Sequence, residues 1–130
     1  MTSTDVALWY VESINQQNAE VLDQLTSDGI RLIDAENRIT HGKIASREAW
    51  DHTFSLFPDY EILILETFTK DYSIMLLGTV SGTYAGATSE PEFAAWKCPI
   101  AIRVEVVSDQ IAEWRTFYDL RPSYQALGIA

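Results

Sequence analysis

The chain has 130 residues, the length of one domain of about 100–150 residues, and at 47% hydrophobic and 12% aromatic it can build a sizeable core. Nine basic against nineteen acidic residues give a net charge of −10, a field that repels phosphate backbones and anionic lipid and so argues against nucleic acid and membrane partners. The single cysteine, Cys98, rules out an intrachain disulfide, no Cys/His spacing suggests zinc, and no apolar run approaches the ~20 residues of a membrane span.

The N-terminal stretch MTSTDVALWYVES carries an acid at Asp5 and no basic residue, so it does not read as a secretory signal. Together with the lone cysteine this fits a reducing, cytoplasmic setting, although a cysteine-poor secreted protein has the same pattern. Val6, Trp9, Tyr10 and Ile14 recur at steps of three and four, the pattern of an amphipathic helix. Asn15–Asn18 interrupts it. Asn18 is placed to cap a short second helix carrying Val21, Leu22 and Leu25, which Ser27-Asp28-Gly29 is expected to stop.

Residues 30–33 and 38–41 read as two short strands around a turn at Ala35-Glu36-Asn37. Ser46 then opens a third helix in which Trp50, Phe54 and Phe57 form one stripe, and Pro58-Asp59 ends it. Four strand-like runs follow, at 60–69, 73–84, 92–107 and 110–118, separated by turns at Lys70-Asp71, 85–91 and Ser108-Asp109. A last short helix is expected over 122–127, with Gly128 as its stop. No linker or repeat divides the chain, so 1–130 reads as one domain. Helices followed by an antiparallel meander make an α+β arrangement, in which a long curved sheet with three helices on one face forms a cone with an interior.

Several stretches together resemble the nuclear transport factor 2-like superfamily, within it the SnoaL-like and ketosteroid isomerase-like branches. Tyr10-Val11-Glu12-Ser13-Ile14-Asn15 is similar to the family's first helix, and residues 27–34 to the start of its first strand. Ser46-Arg47-Glu48-Ala49-Trp50 resembles the start of the third helix. Asp109–Asp119, with Ile111-Ala112-Glu113-Trp114-Arg115, resembles the final strand. The likeness runs through nearly the whole chain in the right order. It implies the cone-shaped, cystatin-like roll and, because this fold hosts enzymes, binders and association modules alike, it says little by itself about activity.

The resemblance implies two catalytic candidates. Asp34, at the end of the first strand, matches the general base of the ketosteroid isomerases. Tyr10, on the first helix, matches the tyrosine that donates a hydrogen bond to the developing enolate. Each has a plainer reading, Asp34 as a strand-end residue satisfying turn amides and Tyr10 as a core aromatic. The isomerases' third element, an acid on the fifth strand, falls on Ala101, or on Ile100 or Ile102 with a one-residue slip, and none of these can donate a proton. The limonene epoxide hydrolase pattern also fails, since its acid two residues after the Trp is here Thr116.

SnoaL-type cyclases need less: one acid/base residue, no cofactor, and a cavity that folds the substrate. The expected function is therefore cofactor-independent isomerisation or cyclisation of a hydrophobic small molecule such as a polyketide or terpenoid intermediate. A non-catalytic binding or dimerisation domain is the alternative. Trp50, Phe54, Trp96, Trp114 and Tyr118 are the expected lining of the cavity, with His41 at its mouth and ordinary core packing as the competing reading. His52 is expected at the surface, and neither histidine has a partner at metal-ligand spacing. Asp119, at the end of the last strand, is the other acid to consider; if the apolar face of that strand lines the cavity, alternation turns Asp119 away, toward Arg115 or Arg121. The family's outer sheet face commonly forms a homodimer, which would place Arg103 and Glu105 near an interface.

Overall fold

The computed structural model describes residues 1–88 and 90–129. Helix α1 spans Ser3–Asn15, and its start is fixed by a reciprocal cap: the Thr2 hydroxyl accepts from the Asp5 amide while the Asp5 carboxylate accepts from the Thr2 amide. Helix α2 (Ala19–Leu25) is capped by Asn18, whose side chain accepts from the Val21 amide. Strand β1 then covers Thr26–Ile33, β2 Ile39–His41, α3 Lys43–Leu56, β3 Glu61–Lys70, β4 Ser73–Thr83, β5 Ala95–Val107, β6 Gln110–Tyr118 and α4 Arg121–Leu127. The result is α+β, as the sequence predicts, with four α-helices and one six-stranded mixed sheet among the described residues, in the order β2-β1-β6-β5-β4-β3.

Three element boundaries move for tertiary reasons. Ser27-Asp28-Gly29 does not end α2 in a loop, because β1 already pairs in parallel with β6 from Thr26, and an irregularity between Thr26 and Arg31 absorbs these residues. Helix α3 begins three residues before Ser46, behind Gly42 at φ 97°, where the chain turns in a conformation that glycine adopts without strain. Strand β5 begins at Ala95, because a 3-10 turn at Pro91–Phe93 takes up the residues before it.

Helix α1 lies in the concavity of the sheet, with Val6, Ala7, Tyr10 and Ile14 fully buried against Ile74, Leu76, Val80, Ile102 and Val104. Its last residue, Asn15, closes the edge of β3 as a strand would: the amide nitrogen donates to the Ile62 carbonyl (2.9 Å) and the side-chain oxygen accepts from the Ile62 amide (2.8 Å). A bulge between Ile64 and Glu66 bends β3 as it runs beside β4. Opposite that bulge stands Gly78, where a Cβ would lie 1.8 Å from the Leu63 carbonyl oxygen. The sheet therefore curls around the helices without closing. No helix among the described residues is long and apolar enough to cross a membrane.

Candidate functional site

Away from α1 the concave side is not filled. A pocket of about 340 Å³, open to solvent on one side, lies between α3, α4 and the inner faces of β1, β5 and β6, at the lower end of the ~300–1,000 Å³ usual for small-molecule sites. Trp50 and Phe57 come from α3 and its end, Tyr60 from just before β3, Trp96 from β5, and Trp114 and Tyr118 from β6. Period-two alternation puts Trp114, Thr116 and Tyr118 on the inner face of β6 and leaves Glu113, Arg115 and Phe117 outside. The rim carries the polar groups, Asp34, Glu36 and Arg38 of the β1–β2 turn and His52 of α3.

Of the expected lining, Trp50, Trp96, Trp114 and Tyr118 are in this pocket. Phe54 is not. It stacks on Trp50 (5.8 Å) and lines a separate crevice of about 30 Å³ beside α2, room for a single water. His41 is also outside, exposed on β2 opposite Arg31, because strand alternation turns it away from the concave side. The histidine at the mouth is His52, exposed as expected but close enough to line the rim. Tyr60, Phe57 and Tyr124 also line it; the sequence pattern puts Phe57 on the α3 stripe without assigning it to the cavity, and singles out neither tyrosine. Tyr60 follows a Pro-Asp helix stop, a signal for a boundary and not for a site.

The two catalytic candidates do not face one another across the pocket, since only Asp34 lines it. Tyr10 is fully buried behind Trp50, whose indole N–H donates to the Tyr10 hydroxyl at 2.9 Å. Burial pushes the Tyr10 pKa up, against hydrogen bonds with Thr26, Trp50 and Ser46. Its ring packs on Trp114 at 4.9 Å, and it does not line the pocket. Asp34 does line the pocket, with a side chain 43% exposed. Its carboxylate accepts from the amides of Glu36 and Arg38 (both 2.9 Å) and from the Arg38 guanidinium (3.0 Å). Turn satisfaction and rim position thus coexist in one residue.

Asp119 lies outside the pocket and is paired with Arg121 at 2.7 Å, which together with the Arg121 amide holds its carboxyl below the usual range. Arg103 and Glu105 pair with one another on the outer face (2.8 Å), and Arg103 also reaches Glu113 (2.6 Å). Glu113 is almost fully buried and takes Arg31 on its other oxygen. The indole N–H groups of Trp96 and Trp114 are covered and have no hydrogen-bond partner among the described residues. Each ring instead packs on an aromatic neighbour, Phe57 at 5.2 Å and Tyr10 at 4.9 Å respectively. Among the described residues no group of three or more His, Cys, Asp or Glu side chains could hold a metal ion.

A family model of SnoaL-like polyketide cyclases matches residues 4–127. The chain belongs to that SnoaL-like family.

No curated protein matches this SnoaL-like chain by sequence. Solved structures do match in fold. A candidate SnoaL-like polyketide cyclase from Jannaschia sp. CCS1 superposes with a TM-score of 0.84 at 17% identity, over 98% of this chain and 92% of that one. A hypothetical protein with a ketosteroid isomerase-like fold from Catenulispora acidiphila gives 0.82 at 14% identity, over 96% and 93%. An LEH-like epoxide hydrolase from M. tuberculosis gives 0.79 at 10% identity, over 96% and 88%. At these identities the likeness is one of fold. In this chain Thr116 lines the pocket wall, and Ile100 and Ile102 of β5 are buried in the core.

Proposed function

We propose that this SnoaL-like protein takes up a hydrophobic, neutral organic molecule, such as a polyketide or terpenoid intermediate, and rearranges it by cofactor-independent proton transfer, as an isomerase or cyclase. The observation that carries the reading is the pocket itself, walled by Trp50, Trp96, Trp114, Tyr60 and Tyr118 with a carboxylate, Asp34, at its rim. Such walls fold and orient an apolar substrate, and one positioned acid/base group completes the minimal chemistry. For Asp34 to act, a ligand at the rim has to displace the Arg38 guanidinium from it.

A second reading, a binding or dimerisation domain without catalysis, is favoured by the same carboxylate. Two turn amides and Arg38 already occupy its oxygens, the bonding of a carboxylate that holds a turn together. Native mass spectrometry of the purified protein, then turnover assays on a panel of enolisable ketones and epoxides, separates the two. Turnover lost in Asp34→Asn supports the enzyme. Turnover unchanged in that variant removes Asp34 from the mechanism, and a bound molecule released unaltered leaves the binding reading.

The homodimer expected from the resemblance has a face to use. Leu63, Leu65, Phe68 and Phe117 are exposed on the outside of the sheet, where apolar side chains gain from being covered. The lone thiol, Cys98, is buried and suits a reducing compartment such as the cytoplasm.

A further inference from the structure

The aromatic walls of the pocket are not uniformly apolar. Three tyrosines line it, and two of them, Tyr60 and Tyr118, stand on its inner faces on either side of the β5 strand. Tyr60 is fixed from below: its amide donates to the Phe57 carbonyl (2.9 Å), and its ring stands edge-on to Trp50 at 6.2 Å. The neighbouring Asp59 clamps the Thr83 amide and hydroxyl, at 2.6 and 2.7 Å, which holds the start of β3 against β4. Tyr118 is the last residue of β6, in register with Ile100 of β5, and it points the same way as Trp114 and Thr116. Strand pairing positions the Tyr118 ring, and the turn bond to Phe57 directly before β3 positions the Tyr60 ring.

Among the described residues neither hydroxyl has a hydrogen-bond partner, in contrast to Tyr10, whose hydroxyl is engaged from several sides. Neither hydroxyl is among the covered polar atoms that lack a partner, so each keeps its access to the open pocket, where a ligand acceptor can take the place of water. Burial and the nearby Cys98 thiol both push the two phenols' pKa up, so they stay neutral donors across the physiological range. Arg38, the guanidinium among the described lining residues, is engaged by Asp34 and Glu36, and the chain's net charge is strongly negative. An anionic ligand gains little here, whereas a neutral oxygen acceptor gains two donors.

We propose that Tyr60 and Tyr118 form the polar seat of the pocket and hydrogen-bond the carbonyl oxygen or oxygens of a neutral, ring-bearing ketone. They take over the donor role that the family resemblance assigns to Tyr10. The proposal rests on the reading of the pocket as a small-molecule site and deepens it by naming the ligand class and the residues that select it.

Fluorenone and fluorene, nearly the same shape with and without a carbonyl, test it. Both are titrated into wild type, Tyr60→Phe and Tyr118→Phe, with exposed Tyr72→Phe as a control. The expected result is that each pocket variant weakens fluorenone binding by about fivefold or more and leaves fluorene within about twofold. The infrared carbonyl stretch of bound fluorenone should lie at lower wavenumber in wild type and move back part-way in each variant. Fluorene binding also shows that the variants remain folded. If fluorenone affinity and its carbonyl stretch are the same in all four proteins, the seat is wrong while the pocket reading stands. If neither compound binds wild type, the pocket reading itself fails and takes this proposal with it.

Discussion

The indole N–H of Trp50 donates to the Tyr10 hydroxyl at 2.9 Å, and that single bond settles which side of Trp50 each tyrosine is on. Tyr10 belongs to the packed side, beneath α3, and Trp50 presents its other surface to the pocket. Tyr10→Phe should then act on stability. It strips a buried indole of its acceptor, at a cost of about 1–3 kcal/mol, measurable by chemical denaturation. Ligand affinity should change little. A Tyr10→Phe protein of wild-type stability that loses ligand binding or turnover would place the hydroxyl in the site after all.

Alkaline pH provides a second check. Burial raises the pKa of Tyr118 to about 12 and that of Tyr60 and Tyr10 as well. In the unfolded chain these phenols ionise near ~10, so above that pH the unfolded state holds fewer protons than the folded one. Stability is thus fully present below the unfolded value and falls as pH climbs through the window toward 12. Phenolate absorbance should show late-titrating tyrosines, and Tyr118→Phe should remove one with a midpoint about 12. Loss of an early-titrating group instead would mean that Tyr118 is solvated.

Gly78 is the position where curvature depends on a missing side chain. A Cβ there meets Leu63 backbone atoms, oxygen at 1.8 Å and carbon at 2.8 Å, which cannot move without breaking the β3–β4 ladder. Gly78→Ala should cost about 3 kcal/mol, read by thermal unfolding. Gly29→Ala, with open space around it, is the matched control and should fall within about ±0.5 kcal/mol.

On the outer face the Glu113 carboxylate is almost fully buried while its partners Arg31 and Arg103 keep contact with water. Removing the arginines strands a buried charge, whereas removing the carboxylate leaves two guanidinium groups that solvent can still reach. The Arg31→Ala/Arg103→Ala double variant should therefore be less stable than Glu113→Gln, by about 1–2 kcal/mol. Denaturant unfolding of the two proteins at neutral pH decides it, and the reverse order would sink the argument.

The features legible in the sequence are those fixed by neighbours along the chain. Asn18 caps α2, Asp71 and the Ser108-Asp109 pair turn at positive φ, and Gly128 ends α4 in the left-handed region. Periodicity of two and 3.6 then fixes which face of each element is buried, and the order of elements leads to the fold and family. Periodicity does not say whether a buried face meets another side chain or an open space. That distinction separates Trp50 from Phe54 on one helix stripe, Tyr118 from Tyr10 among the tyrosines, and His52 from His41. It was decided by the parallel pairing of β1 with β6, which carries Asp34 and Arg38 to the rim beside Tyr118, and by the bulge opposite Gly78 that curls the sheet. These contacts join residues tens of positions apart, where local propensity has no reach, so only the folded chain assigns the pocket its walls.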